Sequence, residues 1–277
     1  MTTKACCDGG LPCRSHGSEP GGKVIELESF AGKPALPCYE IGEGDKAVIA
    51  VYDIFGFTEN KRTRLVCDQI ANAGYRVILP DFYRGTDVLK EFGTFPPAGG
   101  IEEVVSWVNR VAPFDSVVKE VNEVVVKHLQ GKGAKAIGMV GFCWGGKIVM
   151  LSSTSDNIKA GVGIHPSFLE PADCEKVTSP QMFLPAGNDP PIDPIWEGLS
   201  KKPFFSKCFK KVFTEMVHGW SLRADMKDLI QGPQADEAIK LAIQHFDANL
   251  RDAWETRGCT CPDPEEDSQR KRKTSLS

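Results

Sequence analysis

A cysteine stands at the centre of Gly141-Phe142-Cys143-Trp144-Gly145, directly after the apolar run Ala136-Ile137-Gly138-Met139-Val140. The spacing G-x-nucleophile-x-G at the end of a strand predicts a sharp turn into a helix. Such a turn holds the nucleophile at strained backbone angles. It needs small residues two positions before and after, because side chains there would strike the strand and the helix. Trp144 to Leu151 reads as that helix, so its N-terminus would point at the sulfur. This placement favours a thiolate and leaves the Trp144 amide to stabilise an oxyanion. The chemistry implied is nucleophilic attack on a carbonyl. A small cysteine buried in a strand-to-helix turn is the alternative, and the pentapeptide alone does not decide between them.

A thiol nucleophile needs a base, and commonly a carboxylate to orient that base. When the nucleophile sits on a strand-turn-helix, the acid and then the histidine follow on loops after later strands. Of the five histidines, His16 lies in an irregular N-terminal stretch, and His128 and His245 fall inside predicted helices. His165 follows a strand but precedes the acid. His218, in Met216-Val217-His218-Gly219-Trp220, fits the order. Asp189, in Gly187-Asn188-Asp189-Pro190, is the expected acid, with Asp193 as the alternative. The second oxyanion donor is expected from the loop after an early strand, Asp53-Ile54-Phe55-Gly56, and the Ile54 amide is the candidate. Asp53, at that strand end, is placed to contact the thiol.

The elements that must carry these residues alternate along the chain. Ala47 to Tyr52, Tyr75 to Leu79, Ala136 to Val140, Ala160 to Ile164, Gln181 to Pro185 and Lys210 to Glu215 read as strands. Asn60 to Ala73, Ile101 to Val111, Ser116 to Leu129 and Trp144 to Ser152 have helical spacing, and an amphipathic helix follows Pro233. Alternating units of this kind predict an α/β fold, with a mostly parallel sheet and helices on both faces.

Composition agrees with one such domain. The chain has 277 residues, 41% hydrophobic and 25% charged, enough for a full core. A formal net charge of -4 gives no case for nucleic acid or an anionic membrane as the main partner. No window approaches the length of a membrane span, and the first residues lack the apolar stretch of a signal peptide. The ten cysteines are scattered mostly singly, so free thiols in the cytoplasm are expected rather than a disulfide scaffold. The expected organisation is an irregular Cys- and Gly-rich arm over 1–22, a catalytic domain over 23–254 and a disordered charged tail over 255–277.

Taken together, Asp53-Ile54-Phe55-Gly56, Pro80-Asp81-Phe82-Tyr83-Arg84-Gly85, Gly141 to Gly146, Asp189 and His218-Gly219-Trp220 resemble the dienelactone hydrolase family. Cys6-Cys7 and Gly21-Gly22 look like the N-terminal arm of its eukaryotic members. The resemblance implies the α/β-hydrolase fold and a Cys-His-Asp hydrolase of lactones or small esters, with no cofactor or metal. Bacterial members carry glutamate where this chain has Asp53, and that glutamate is thought to hold the resting thiol. The family also uses arginines to hold a substrate carboxylate, and Arg223 and Arg84 are the matching candidates. A thiolate leaves a tetrahedral intermediate more readily than an amine or a simple alkoxide. Cysteine therefore suits enol lactones, activated esters and thioesters better than amides.

Two other classes of function compete. One is a low-turnover thiol redox or electrophile-binding protein on the same fold, suggested by Cys6-Cys7, Cys13 and Cys259-Thr260-Cys261, although these lack the paired spacing of a zinc site. The other is an interaction protein working through the basic run Arg270-Lys271-Arg272-Lys273, with protein partners unspecified.

Overall fold

The computed structural model describes residues 19–57 and 61–250. Most of the N-terminal arm and the whole charged tail lie outside the described residues. The described chain forms an eight-stranded sheet. Its strands are β1 (Lys23–Leu27), β2 (Leu36–Ile41), β3 (Lys46–Val51), β4 (Arg76–Pro80), β5 (Ala136–Phe142), β6 (Ile158–Ile164), β7 (Gln181–Leu184) and β8 (Phe209–Lys210). Their order across the sheet is β1-β2-β4-β3-β5-β6-β7-β8. From β4 to β8 every pair is parallel, while β1 and β2 add an antiparallel edge.

Helices alternate with these strands: α1 (Lys61–Asn72), α2 (Val88–Phe92), α3 (Gly100–Val111), α4 (Phe114–Glu120), α5 (Lys127–Gly131), α6 (Trp144–Ser152), α7 (Asp193–Ser200), α8 (Trp220–Arg223) and α9 (Gln231–Asn249). The stretch expected as one helix from Ser116 to Leu129 is continuous in space. It is interrupted by a π-helical turn, Val121–Val126, between α4 and α5.

The central strand β5 is buried along its whole length, which is why it reads as a continuous apolar run. Its side chains alternate between two helical layers. A Cβ on Gly138 would meet Phe246 of α9, whereas one on Gly141 would meet the backbone of α6. Helices α1 and α9 pack together on one side, and α4 and α6 on the other. Among the described residues, the triad, oxyanion-hole, Asp53 and arginine candidates all lie beyond the carboxyl end of a parallel strand or in the helix that follows. Open α/β sheets place ligands at this edge.

The strand expected over Lys210 to Glu215 is shorter than the apolar pattern suggested. Backbone bonds from Lys211 to Phe183 and from Phe213 to Pro185 continue the pairing past β8. Pro185 has no N–H to return, so the ladder ends there as a single bridge between Ala186 and Phe213.

Candidate active site

Residue Cys143 sits between β5 and α6 at φ 53° and ψ −114°, a conformation that non-glycine residues rarely adopt. The surrounding glycines explain how the chain holds it. A Cβ on Gly141 would lie 2.1 Å from the Gly145 carbonyl oxygen, and one on Gly145 would lie 2.3 Å from that of Val51. Strand and helix therefore cross at a separation that only glycine permits. The thiol is buried, and the Cys143 amide is fixed to the Ile164 carbonyl at 3.2 Å.

His218 and Asp189 arrive from neighbouring loops that are bonded to each other. The His218 amide donates to Asn188 Oδ1 at 2.7 Å, and the Gly187 amide to the Met216 carbonyl at 2.9 Å. Asp189 Oδ2 accepts from the Ala186 amide at 2.7 Å, which leaves Oδ1 to meet His218 Nδ1 at 2.5 Å. The other imidazole nitrogen faces the sulfur, and the structure contains a hydrogen bond between the His218 and Cys143 side chains. The three side chains thus form one buried series from sulfur through imidazole to carboxylate. Burial by itself would lower the pKa of His218. The charge on the Cys143 sulfur and the bond to Asp189 outweigh burial and push it up to about 9. Asp193, the alternative acid, opens α7 on the surface and binds Lys210 at 2.8 Å.

The two expected oxyanion donors follow the ends of the adjacent parallel strands β3 and β5. Trp144 is the first residue of α6, so its amide has no acceptor within the helix. Ile54 lies in the turn after β3, whose bonds run from the Gly56 amide to the Asp53 carbonyl and from the Phe55 amide to Asp53 Oδ1. Behind the turn, the Trp144 ring is packed against Tyr52, Tyr83, Phe82 and Phe114 at centroid separations of 5.0–6.4 Å.

Three expectations are modified. Asp53 is buried beside the site but does not hold the thiol. Its Oδ1 caps its own turn, and its Oδ2 has no hydrogen-bond partner among the described residues. Burial raises the Asp53 pKa, against the lowering effects of Arg223, the Phe55 amide and His218. Arg223 reaches the site, but as part of its framework. Its guanidinium donates to the His218 carbonyl at 2.7 Å and lies 5.1 Å from the centroid of the Phe55 ring. It crosses Gly219, where a Cβ would collide with it. Arg84 is captured elsewhere: its guanidinium binds buried Glu120 and the carbonyls of Pro34 and Asp81.

Three further residues stand at the site: Ser167, which the sequence did not single out, and His165 and Tyr83, which were given no role. Ser167, after β6, has its hydroxyl 3.6 Å from Cys143 Sγ and 3.5 Å from His218 Nε2. His165 is fully buried, with its ring centroid 5.0 Å from that of His218 and its Nε2 2.8 Å from Ser221 Oγ. Burial, with the positive charges of His218 and Arg223, holds its pKa well below the ordinary histidine value, so it is neutral. The Tyr83 hydroxyl is buried with no hydrogen-bond partner among the described residues. Among those residues, no group of three or more His, Cys, Asp or Glu side chains is arranged to hold a metal. No helix among them is long and apolar enough to cross a membrane.

The chain as a whole is similar to known proteins. The family model described as "Dienelactone hydrolase family" matches residues 37–238. A carboxymethylenebutenolidase homolog of Mus musculus is 34% identical over 215 residues, covering 76% of this chain and 84% of that protein. An uncharacterized AIM2 family protein of Schizosaccharomyces pombe is 28% identical over 253 residues, covering 87% and 98%. Among solved structures, a dienelactone hydrolase from Anabaena variabilis superposes with a TM-score of 0.58 at 17% identity. It covers 84% of this chain and all of that one, a likeness of fold alone.

Proposed function

The chain belongs to the dienelactone hydrolase family and is a carboxylic ester hydrolase, and we propose that it works through Cys143, His218 and Asp189 on lactones or small activated esters. The observation that carries this reading is the buried hydrogen-bonded series at the carboxyl edge of β5, with the sulfur at the N-terminus of α6. In the proposed course, the Cys143 thiolate, paired with protonated His218, attacks the carbonyl carbon. The amides of Ile54 and Trp144 stabilise the resulting oxyanion. The imidazolium then gives its proton to the departing oxygen as the tetrahedral intermediate collapses to a thioester. Neutral His218 next takes a proton from water, which attacks that thioester, releases the acid and restores the Cys143 thiolate beside protonated His218. Asp189 holds the imidazole in the correct tautomer throughout.

The names of the relatives support a lactone substrate, since carboxymethylenebutenolide is a carboxylate-bearing lactone. Arg223, beside His218, is the cation proposed to favour such anionic substrates. Arg84 is not carried forward, because Glu120 and two carbonyls occupy its guanidinium. The five described cysteines are free thiols, which supports a reducing, cytoplasmic setting.

The test is Cys143→Ala, assayed on a chromogenic acetate ester and a panel of lactones, with the circular dichroism spectrum recorded alongside. Loss of turnover with an unchanged spectrum is expected. Retained turnover would exclude Cys143 as the nucleophile, whereas a wild type that binds electrophiles at Cys143 without turning esters over would favour the electrophile-binding reading.

A further inference from the structure

The loop after β6 is built with unusual care around one hydroxyl. His165 at φ 38° and Phe168 at φ 64° bracket Ser167, both in the left-handed region that bulky side chains avoid. Strain of this kind persists only where the surroundings hold it in place, and it clusters at functional sites. The surroundings here are specific. The Ser167 amide donates to the Cys143 carbonyl at 2.9 Å, which ties the loop to the nucleophile itself. Pro166 packs against Gly146 so closely that a Cβ there would come within 2.5 Å of it. Phe168 stacks edge-on against Phe114. Farther along, Asp173 receives Lys147 of α6 at 2.7 and 2.8 Å, an ion pair with both side chains 7% exposed. Glu170 adds a second contact to Lys147 at 3.2 Å. Strand end, loop and nucleophile helix are thereby locked together, and the Ser167 hydroxyl is delivered within reach of both Cys143 Sγ and His218 Nε2.

A thiol needs one acceptor, which His218 supplies. A thiolate is better solvated by several donors, and the imidazolium provides only one. We propose that Ser167 is a catalytic residue whose hydroxyl donates a second hydrogen bond to the Cys143 sulfur as it becomes an anion, making the attacking thiolate easier to form. The serine keeps its proton throughout, and the thiol proton goes to His218 Nε2. After acylation the sulfur is uncharged, and the hydroxyl turns toward the neutral imidazole.

Other ionisable groups surround the pair. Asp53 lies in the turn after β3, Tyr83 in the loop after β4, His165 ahead of Ser167, and Arg223 on α8. Asp53 and Tyr83 make no hydrogen bond to the sulfur, and His165 spends its Nε2 on Ser221. Arg223 binds the His218 carbonyl. Ser167 is therefore the uncharged donor whose removal changes the thiolate while leaving the charge of the site unaltered.

This inference rests on the reading of Cys143 as the nucleophile, and the experiment separates the two. The acid limb of kcat/KM against pH, on the chromogenic acetate ester, and the pH dependence of iodoacetamide inactivation are measured for wild type, Ser167→Ala and Ser167→Thr. Loss of a hydrogen bond to the charged form should move both apparent thiol pKa values of Ser167→Ala upward by about 0.5–1 unit. Activity should be down about three- to tenfold below that pKa and recover at higher pH. Ser167→Thr, which keeps the hydroxyl, should remain within a few tenths of a unit of wild type. An acid limb unmoved in Ser167→Ala, or moved equally in both variants, would overturn the proposal even with Cys143→Ala inactive. Activity retained in Cys143→Ala and lost in Ser167→Ala would make the serine itself the nucleophile, and both readings would fall together.

Discussion

The Nδ1 atom of His218 lies 2.5 Å from Oδ1 of Asp189, and both side chains are only 1% exposed. In this environment the carboxylate fixes the tautomer that leaves Nε2 facing the sulfur. Asp189→Asn offers an amide in place of an acceptor-only group and should lower kcat by two to four orders of magnitude. Asp193→Asn alters an exposed residue paired with Lys210 and should stay within a factor of two of wild type. Steady-state kinetics on one ester decide the point. A larger loss in Asp193→Asn would overturn the choice of Asp189 as the acid.

The raised pKa of His218 predicts the alkaline limit of activity. In the proposed mechanism the imidazolium pairs with the thiolate and protonates the leaving oxygen. With its pKa at about 9, that form persists through neutral pH and is lost as pH rises through 9. The value belongs to the Cys143–His218 pair, because the sulfur's charge helps to set it. The kcat/KM profile should therefore fall on its alkaline side near pH 9. In Asp189→Asn, which lacks one of the raising interactions, residual activity should fall at lower pH. An alkaline limb near the ordinary histidine value in wild type would contradict the ion-pair description.

Arg223 makes two separable contributions. On the proposed reading, its bond to the His218 carbonyl supports the histidine loop for every substrate, while its charge gives a further advantage to anionic ones. Arg223→Ala should lower kcat/KM on neutral esters modestly. On carboxylate-bearing lactones it should cost a further ten- to hundredfold, as expected for loss of a charge-assisted hydrogen bond worth about 1.5–3 kcal/mol. Parallel measurements on the two substrate classes give the ratio. A ratio unchanged from wild type would leave Arg223 a framework residue only.

The parts of this site that were legible in the sequence are those set by local backbone geometry or by chain order. Cys143 announces itself through glycines that a strand-turn-helix crossing demands. Asp189 and His218 follow because a parallel sheet presents successive loops at one edge. Ser167 had no such signal, since its position depends on left-handed backbone at His165 and Phe168, residue types that do not advertise it. Arg84 failed for the opposite reason. It stands in a recognisable motif, but Glu120, buried 36 positions later at the end of α4, takes its guanidinium through a contact that no local pattern reveals. The β1–β2 edge went unread because β1 is largely exposed and so lacks a clear apolar alternation.

A final prediction concerns stability, away from the chemistry. His245, on the buried face of α9, is held neutral mainly by burial, against the raising effect of the Pro180 carbonyl, and its pKa is lowered to about 4. An unfolded chain takes up this proton near pH 6.5, whereas the folded one does so only near pH 4. Between those values the unfolded state binds more protons, so stability must fall as the solution is acidified. His245 can account for up to roughly 3 kcal/mol of that loss, and neutral His165 adds to it in the same direction. Urea unfolding at pH 7 and pH 4.5 measures the drop. In His245→Gln, which cannot take up a proton, the difference between the two pH values should shrink even if the variant is weaker at both. An unchanged difference would mean that this histidine is not the group being charged.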